Sequence, residues 1–200
     1  MNAGDCDVRP VVIGTAGLTA AIDLLIGDGY TVVAPTVRDG VIVHETIDSI
    51  ADLPAGWGDE QEPCRYRLRR RDDGALFGYA APAQSWKRLL FPPRTTLWRA
   101  RRSGGGSGAT ARRTDADFVV DASVPSPRYA FLGVRACEVR AVDVLDRVFL
   151  GGAHSDPTYS AVRAEALVIA VNCGDPADTC FCDSMGAGPR VEGDVDIVLT

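Results

Sequence analysis

The sequence lacks any apolar run long enough to cross a bilayer as a helix. Its longest near the N-terminus, Leu18 to Ile26, is about nine residues and is broken by Asp23, whereas a spanning helix needs about 20. Only Arg9 precedes that stretch, beside Asp5 and Asp7, so the basic start of a secretory signal is missing too. The expectation is a cytoplasmic protein that makes no membrane contact. A dinucleotide fingerprint is absent: Gly14 and Gly17 stand where G-x-G-x-x-G would need three glycines, and they read as helix entry and packing. Histidine is scarce, with only His44 and His154. His44, on a hairpin, reads as a surface strand residue, and His154, in a Gly-rich loop, as solvated or close to a partner. No Ser/His/Asp set, phosphate loop or acid/base carboxylate pair can be argued from position. RRM, KH, helix-turn-helix and zinc-finger patterns are also missing, which argues against nucleic acid as a partner in a chain of net charge -6.

What is present is an ordinary globular composition. The 200 residues are 46% hydrophobic and 24% charged, with 21 Gly and 12 Pro, enough to bury one sizeable core without disulfide staples. The charge is uneven: Cys64 to Arg113 is about +11 and the remainder about -17. The arginines there read as solvated strand and loop surface, with docking against an acidic partner subunit as a second reading.

The order of elements follows from periodicity and turn chemistry. Val11 to Ile13 reads as a short extended piece, and Leu18, Ala21, Ile22, Leu25 and Ile26 as a helix face ended by Gly27-Asp28-Gly29. Tyr30 to Val37 and Val41 to Ile47, joined by Arg38-Asp39-Gly40, form a hairpin. Tyr66 to Arg70 and Leu76 to Tyr79 flank the turn signal Asp72-Asp73-Gly74 and read as a second β pair. Ser85 to Phe91 reads as a helical turn stopped by Pro92-Pro93. Ser103 to Gly108 has the composition of a flexible loop or hinge. Beyond Phe118 to Val120, Tyr129 to Val134, Glu138 to Phe149 and Leu167 to Val171 read as strand, helix and strand of a βαβ unit with a parallel pair. The fold class is therefore α+β, or mixed α/β, with a hairpin-rich first half over 1–102, a Gly/Ser loop over 103–116 and a βαβ second half over 117–200 that carries the cysteine site. The two halves are expected to form one composite domain.

Of six cysteines, Cys6 and Cys64 stand alone and read as inert. Cys137 sits between the strand and the helix, at a helix N-terminus that favours a thiolate. Cys173 directly follows the next strand, and Gly174-Asp175-Pro176 turns the chain before Cys180-Phe181-Cys182. If the two strands are neighbours, four sulfurs can meet at one strand end, where open α/β sheets present ligands. Four thiolates suit a [4Fe–4S] cluster, which wants one per iron, a dry shell and N–H donors. In that reading Phe181 shields the cluster, and Gly174, Gly186 and Gly188 let the backbone come close. The spacing C-x6-C-x-C leaves three alternatives open: structural zinc, which usually takes C-x2–4-C pairs; a thiol redox pair; and buried unreactive cysteines.

Phe131-Leu132-Gly133-Val134-Arg135-Ala136-Cys137-Glu138-Val139-Arg140-Ala141, then Asp156-Pro157-Thr158-Tyr159, then Val171-Asn172-Cys173 with Thr179-Cys180-Phe181-Cys182-Asp183-Ser184-Met185-Gly186, resembles the β subunit of cytosolic [NiFe] sulfhydrogenases and the related A subunit of anaerobic sulfite reductase. Ser85-Trp86-Lys87 with Leu90-Phe91-Pro92-Pro93 is similar to a second landmark of that family. The resemblance implies a non-catalytic iron–sulfur electron-transfer subunit of an oxidoreductase complex. It would relay electrons between a flavin-containing NAD(P)H subunit and a [NiFe] hydrogenase or sulfite reductase subunit. It further implies Cys137, Cys173, Cys180 and Cys182 as metal-binding ligands. The family continues into a ferredoxin-like region with two C-x2-C-x2-C-x3-C-P runs that these 200 residues do not contain. The chain is thus expected to be a fragment or to rely on a neighbouring chain for those clusters. A different class stays open, a structural docking subunit with a four-cysteine zinc site and no redox role.

Overall fold

The computed structural model describes residues 10–82, 84–103, 117–121 and 127–200. Helix α1 (Thr15–Gly27) leads into a hairpin of β1 (Thr31–Arg38) and β2 (Val41–Thr46), paired antiparallel from Val33↔Thr46 to Arg38↔Val41. Asp39 and Gly40, between them, take φ of +51° and +77°. Two consecutive positive φ values make the primed turn whose twist matches the flanking strands, which is why Asp-Gly is found there. Residues 11–13, expected to be extended, belong to no strand.

A second hairpin pairs β3 (Trp57–Glu62) with β4 (Arg65–Arg70), and Cys64 holds φ +63° in its turn. This corrects the second β pair read from the sequence: β4 pairs backwards with β3, and Leu76 to Tyr79 is not a strand. The carbonyls of Phe77 and Tyr79 are held by the Arg135 guanidinium, and the Ala80 N–H by Asp59, so side chains take the bonds that a ladder would have used. The short helix α2 (Lys87–Leu90) follows at the expected place. Strands β5 (Arg99–Ser103) and β6 (Asp117–Asp121) then pair with each other alone in an antiparallel arm. The Gly-rich segment expected to be a flexible loop lies, from residue 104 on, outside the described residues.

Strand β7 (Tyr129–Arg135), α3 (Ala136–Phe149), α4 (Pro157–Glu165) and β8 (Leu167–Val171) make the expected crossover, with a second helix inserted, and β7 and β8 are parallel. Strand β9 (Ile197–Leu199) adds to β8 in parallel. The fold is mixed α+β: one five-stranded sheet in the order β2-β1-β7-β8-β9 joins the first hairpin to the parallel half through β1 and β7.

Both faces of that sheet are covered, so its central strands read as near-continuous apolar runs instead of alternating ones. Leu18, Ile22 and Leu25 of α1 pack with Leu53 on Val32, Ala34, Ala130, Leu132 and Ile169. On the other face Trp86, Leu90, Val139, Tyr159 and Val162 pack on Val33, Phe131, Val134, Val168 and Ala170. Alternation along β7 breaks at Gly133: Phe131 and Val134 share a face although three positions apart, and the register with β8 shifts between Leu132 and Val134. Gly133 has φ +89°, and a Cβ there would meet Phe77 at 3.0 Å and Pro35 at 3.1 Å. Only glycine fits such a bulge. Its effect is to turn Arg135 toward the face on which residues 77–79 lie.

Candidate functional site

The site is built where β7 and β8 end. Arg135 closes β7 and is the N-cap of α3, and its backbone N–H donates to Glu138 Oε2 at 2.8 Å, the reach-back of a capping box. That places Cys137 in the first helical turn, half-buried. The helix N-terminus favours a thiolate there, yet burial wins and pushes the Cys137 thiol up to about 11, with Glu138 and then the nearby Cys182 and Cys173 adding to the rise.

Cys173 stands two residues past β8. Asn172 donates its backbone N–H to Leu199, and the Cys173 N–H is bonded to the Pro189 carbonyl at 3.0 Å, so the chain leaving β8 lies against both β9 and the loop before it. The loop then runs out and returns. Cys180 is exposed, whereas Cys182 is half-buried and opens a single 3-10 turn, Asp183–Met185, with Gly186 in the left-handed region at φ +59°. The Cys182 carbonyl accepts from Met185 at 3.1 Å and Ala187 at 2.9 Å. Gly188, at φ +132°, passes so close that a Cβ would lie 3.0 Å from Ala136 Cβ and 3.9 Å from Cys182 Cβ. The return loop therefore lies across the start of α3. Gly188 is the close approach expected of it, while a Cβ on Gly174 would meet nothing within 4 Å. Phe181, expected to shield the site, is 70% exposed.

Cys137, Cys173 and Cys182 thus stand around one sheet end, with Cys180 carried outward. Among the described residues no group of three or more His, Cys, Asp or Glu side chains is close enough to hold a metal ion, and the described cysteines are free thiols. The donor chemistry and the shared location at one sheet end fit a thiolate-bound group. Cys64 is exposed in the β3–β4 turn, remote in sequence from that end, and Cys6 lies outside the described residues.

Arg71 ties this loop to the first half of the chain. It binds Asp175 and the Gly78 carbonyl through Nη1, the latter at 3.2 Å, and Asp73 through Nε and Nη2 at 3.0 and 2.6 Å. The arginines of β4 stay on the surface as expected, although Arg69 comes within 3.9 Å of Asp175.

Behind Cys137 lies a polar cluster that sequence reasoning missed. His44 is fully buried, which corrects its reading as a surface strand residue: β2 is covered on both sides, and Trp86 stacks on the imidazole at 3.8 Å. His44 Nε2 stands 3.5 Å from Glu138 Oε1, and neither atom makes a hydrogen bond among the described residues. Burial, helped by Arg88, pushes His44 down to about 4, so the ring is neutral at pH 7. Burial pushes Glu138 up to about 7 against the Arg135 N–H, which pulls it down. A cavity of about 160 Å³ opens beside them, lined by Pro82, Gln84, Ser85, Trp86, Cys137 and Glu138. His154 is exposed, as its Gly-rich loop led one to expect.

Over 72 residues the chain is 32% identical to the protein named sulfhydrogenase 2 subunit beta from Pyrococcus furiosus, a match that covers 36% of this chain and 21% of that protein. The chain thus corresponds to about a fifth of the length of the curated relative it matches. No model of a known family and no solved structure matches it. Among the described residues no helix is long and apolar enough to cross a membrane.

Proposed function

We propose that this chain is an iron–sulfur electron-transfer subunit of a soluble hydrogenase or of a sulfite or sulfur reductase complex. It would relay electrons between a flavin-containing NAD(P)H subunit and the catalytic subunit, with Cys137, Cys173, Cys180 and Cys182 holding one [4Fe–4S] cluster. The observation that carries the reading is the placement of Cys137 and Cys173 just beyond the ends of two neighbouring parallel strands, with the return loop of Cys182 folded over the same helix start. The partial likeness to a hydrogenase β subunit supports it.

Such a group, when bound, supplies one-electron outer-sphere transfer. The chain's part is to gather and deprotonate four thiols and to keep water from them. Cys137 must give up a proton that burial makes it hold, so loading releases protons and is favoured as pH rises. Cys180, already exposed, has only to swing inward with its loop. Phe181 and Met185, exposed on that loop, are placed to turn with it or to meet a partner.

Anaerobic loading with ferrous iron and sulfide tests the proposal. The expected product is brown, with broad visible absorption and an EPR signal on reduction. Cys180→Ser or Cys182→Ser should lose or degrade that signal, and Cys64→Ser should leave it intact. Equal loss in all three would overturn the ligand set. A colourless protein that takes up zinc instead would point to a structural docking subunit.

A further inference from the structure

We infer that Arg135 is the positioning residue of the cysteine site, a clamp that sets the spacing of Cys137 and Cys173; the inference rests on the reading of that site as a thiolate centre. The side chain is 1% exposed and spans three segments. Its Nη1 donates to the Asn172 carbonyl at 3.1 Å, and its Nη2 to the carbonyls of Phe77 at 2.7 Å and Tyr79 at 2.9 Å. One guanidinium therefore links the two strand ends: it belongs to Arg135, the last residue of β7 and two positions ahead of Cys137, and it holds the carbonyl of Asn172, which directly precedes Cys173.

The geometry is costly and specific. A buried guanidinium gives up strong hydration, and here it gains three main-chain carbonyls and, among the described residues, no carboxylate in direct contact. Planar, forked donors reach several fixed acceptors at once, which a lysine ammonium cannot match. The Gly133 bulge exists upstream to aim this one side chain, since regular alternation from Phe131 would have sent it to the opposite face. Asn172 extends the clamp: its Oδ1 accepts from the Val191 N–H at 2.8 Å and its amide is bonded to Thr200. The chain that returns from Cys182 is thereby fastened to the same point. An apolar side chain at 135 would leave the carbonyls of Phe77, Tyr79 and Asn172 without these donors and let the two strand ends drift apart.

The test uses the metal-free chain of 200 residues with Cys6, Cys64, Cys180 and Cys182 replaced by serine, so that only Cys137 and Cys173 react. A short bis-maleimide should cross-link the pair in this parent. Arg135→Met should lower the yield several-fold while thermal unfolding stays cooperative, and Arg135→Lys, which keeps the charge but not the fork, should fall between. Tyr159→Phe, which removes the Tyr159–Asp146 bond on the far flank, should lower the melting temperature without touching the yield. Parental yield in folded Arg135→Met overturns the inference, as does a loss of the same size in Tyr159→Phe. If Arg135→Met does not fold, Arg135→Lys decides on the same comparison, an undiminished yield overturning it. With all six cysteines restored, Arg135→Met should also show a changed EPR line shape after iron and sulfide loading. An unsubstituted chain that takes up no iron, with cross-linking still lost on Arg135→Met in the two-cysteine parent, would sink the iron–sulfur reading and keep the clamp.

Discussion

Two buried side chains 3.5 Å apart hold opposite views of the proton. His44 is pushed down to about 4 and Glu138 up to about 7. For His44 the depressed folded value means that the unfolded chain takes a proton first, so stability is lost as pH falls from about 6.5 to about 4. For Glu138 the raised folded value means that the folded chain keeps its proton longer, so stability is lost as pH rises from about 4.5 to about 7. Between about 4.5 and 6.5 the two slopes oppose each other, and the pair contributes little net pH dependence. Glu138→Gln, which keeps the capping bond, should expose the histidine slope, with stability rising by up to about 3 kcal/mol from pH 4 to 6.5. His44→Phe, which keeps the stack on Trp86, should expose the carboxyl slope of the reverse sign. Urea titrations at several pH values read both, and parallel pH profiles in the two variants would refute the pairing. The cysteines of this site were legible because three thiols in ten residues are conspicuous. His44, Trp86 and Arg135 were not, since each earns its role from a neighbour that is distant in sequence and close only after folding. For Trp86 and Arg135 the only signal was their presence within the segments that carry the family resemblance.

Among the elements, β7 shows how far local pattern carries. Tyr129 to Val134, α3 and β8 were readable because a strand covered on both faces is a plain apolar run and the following helix is amphipathic. The β1–β2 hairpin was readable from Asp39-Gly40. What escaped had no such signal: β3 is Trp-Gly-Asp-Glu-Gln-Glu, with no β-branched residue, and α4 is nine residues started by an Asp156 cap and Pro157. Leu76 to Tyr79 had strand composition but lost its backbone partners to a side chain. The bulge inside β7 could not be read either, because Gly133 in an apolar run looks like any small core residue. Gly133→Ala should cost about 3 kcal/mol, from a positive φ together with contacts near 3 Å to Phe77 and Pro35. Gly40→Ala, with the same sign of φ but nothing within 4 Å, should cost about 1 kcal/mol. Equal shifts of the urea midpoint would mean that backbone strain alone decides and that the Gly133 site has room to spare.

At the scale of the molecule, the sheet order has a consequence in time. Strand β1 lies between β2 and β7, and its Val33 pairs with Phe131, far along the chain. During synthesis the first hairpin leaves the ribosome long before that partner exists. Until then the apolar surfaces under α1 and along Thr31 to Val33 have no cover on that side, and a distant partner is slow to find. A chain ended at residue 128 should therefore lack cooperative unfolding and slow amide exchange in β1, and one ended at 200 should show both. A stably protected β1 in the shorter chain would refute this. Nascent copies would need a holding chaperone, or swift elongation, through the whole arginine-rich middle of the message, so that a pause codon placed before Tyr129 should send more of the product into inclusion bodies than one placed after Val171.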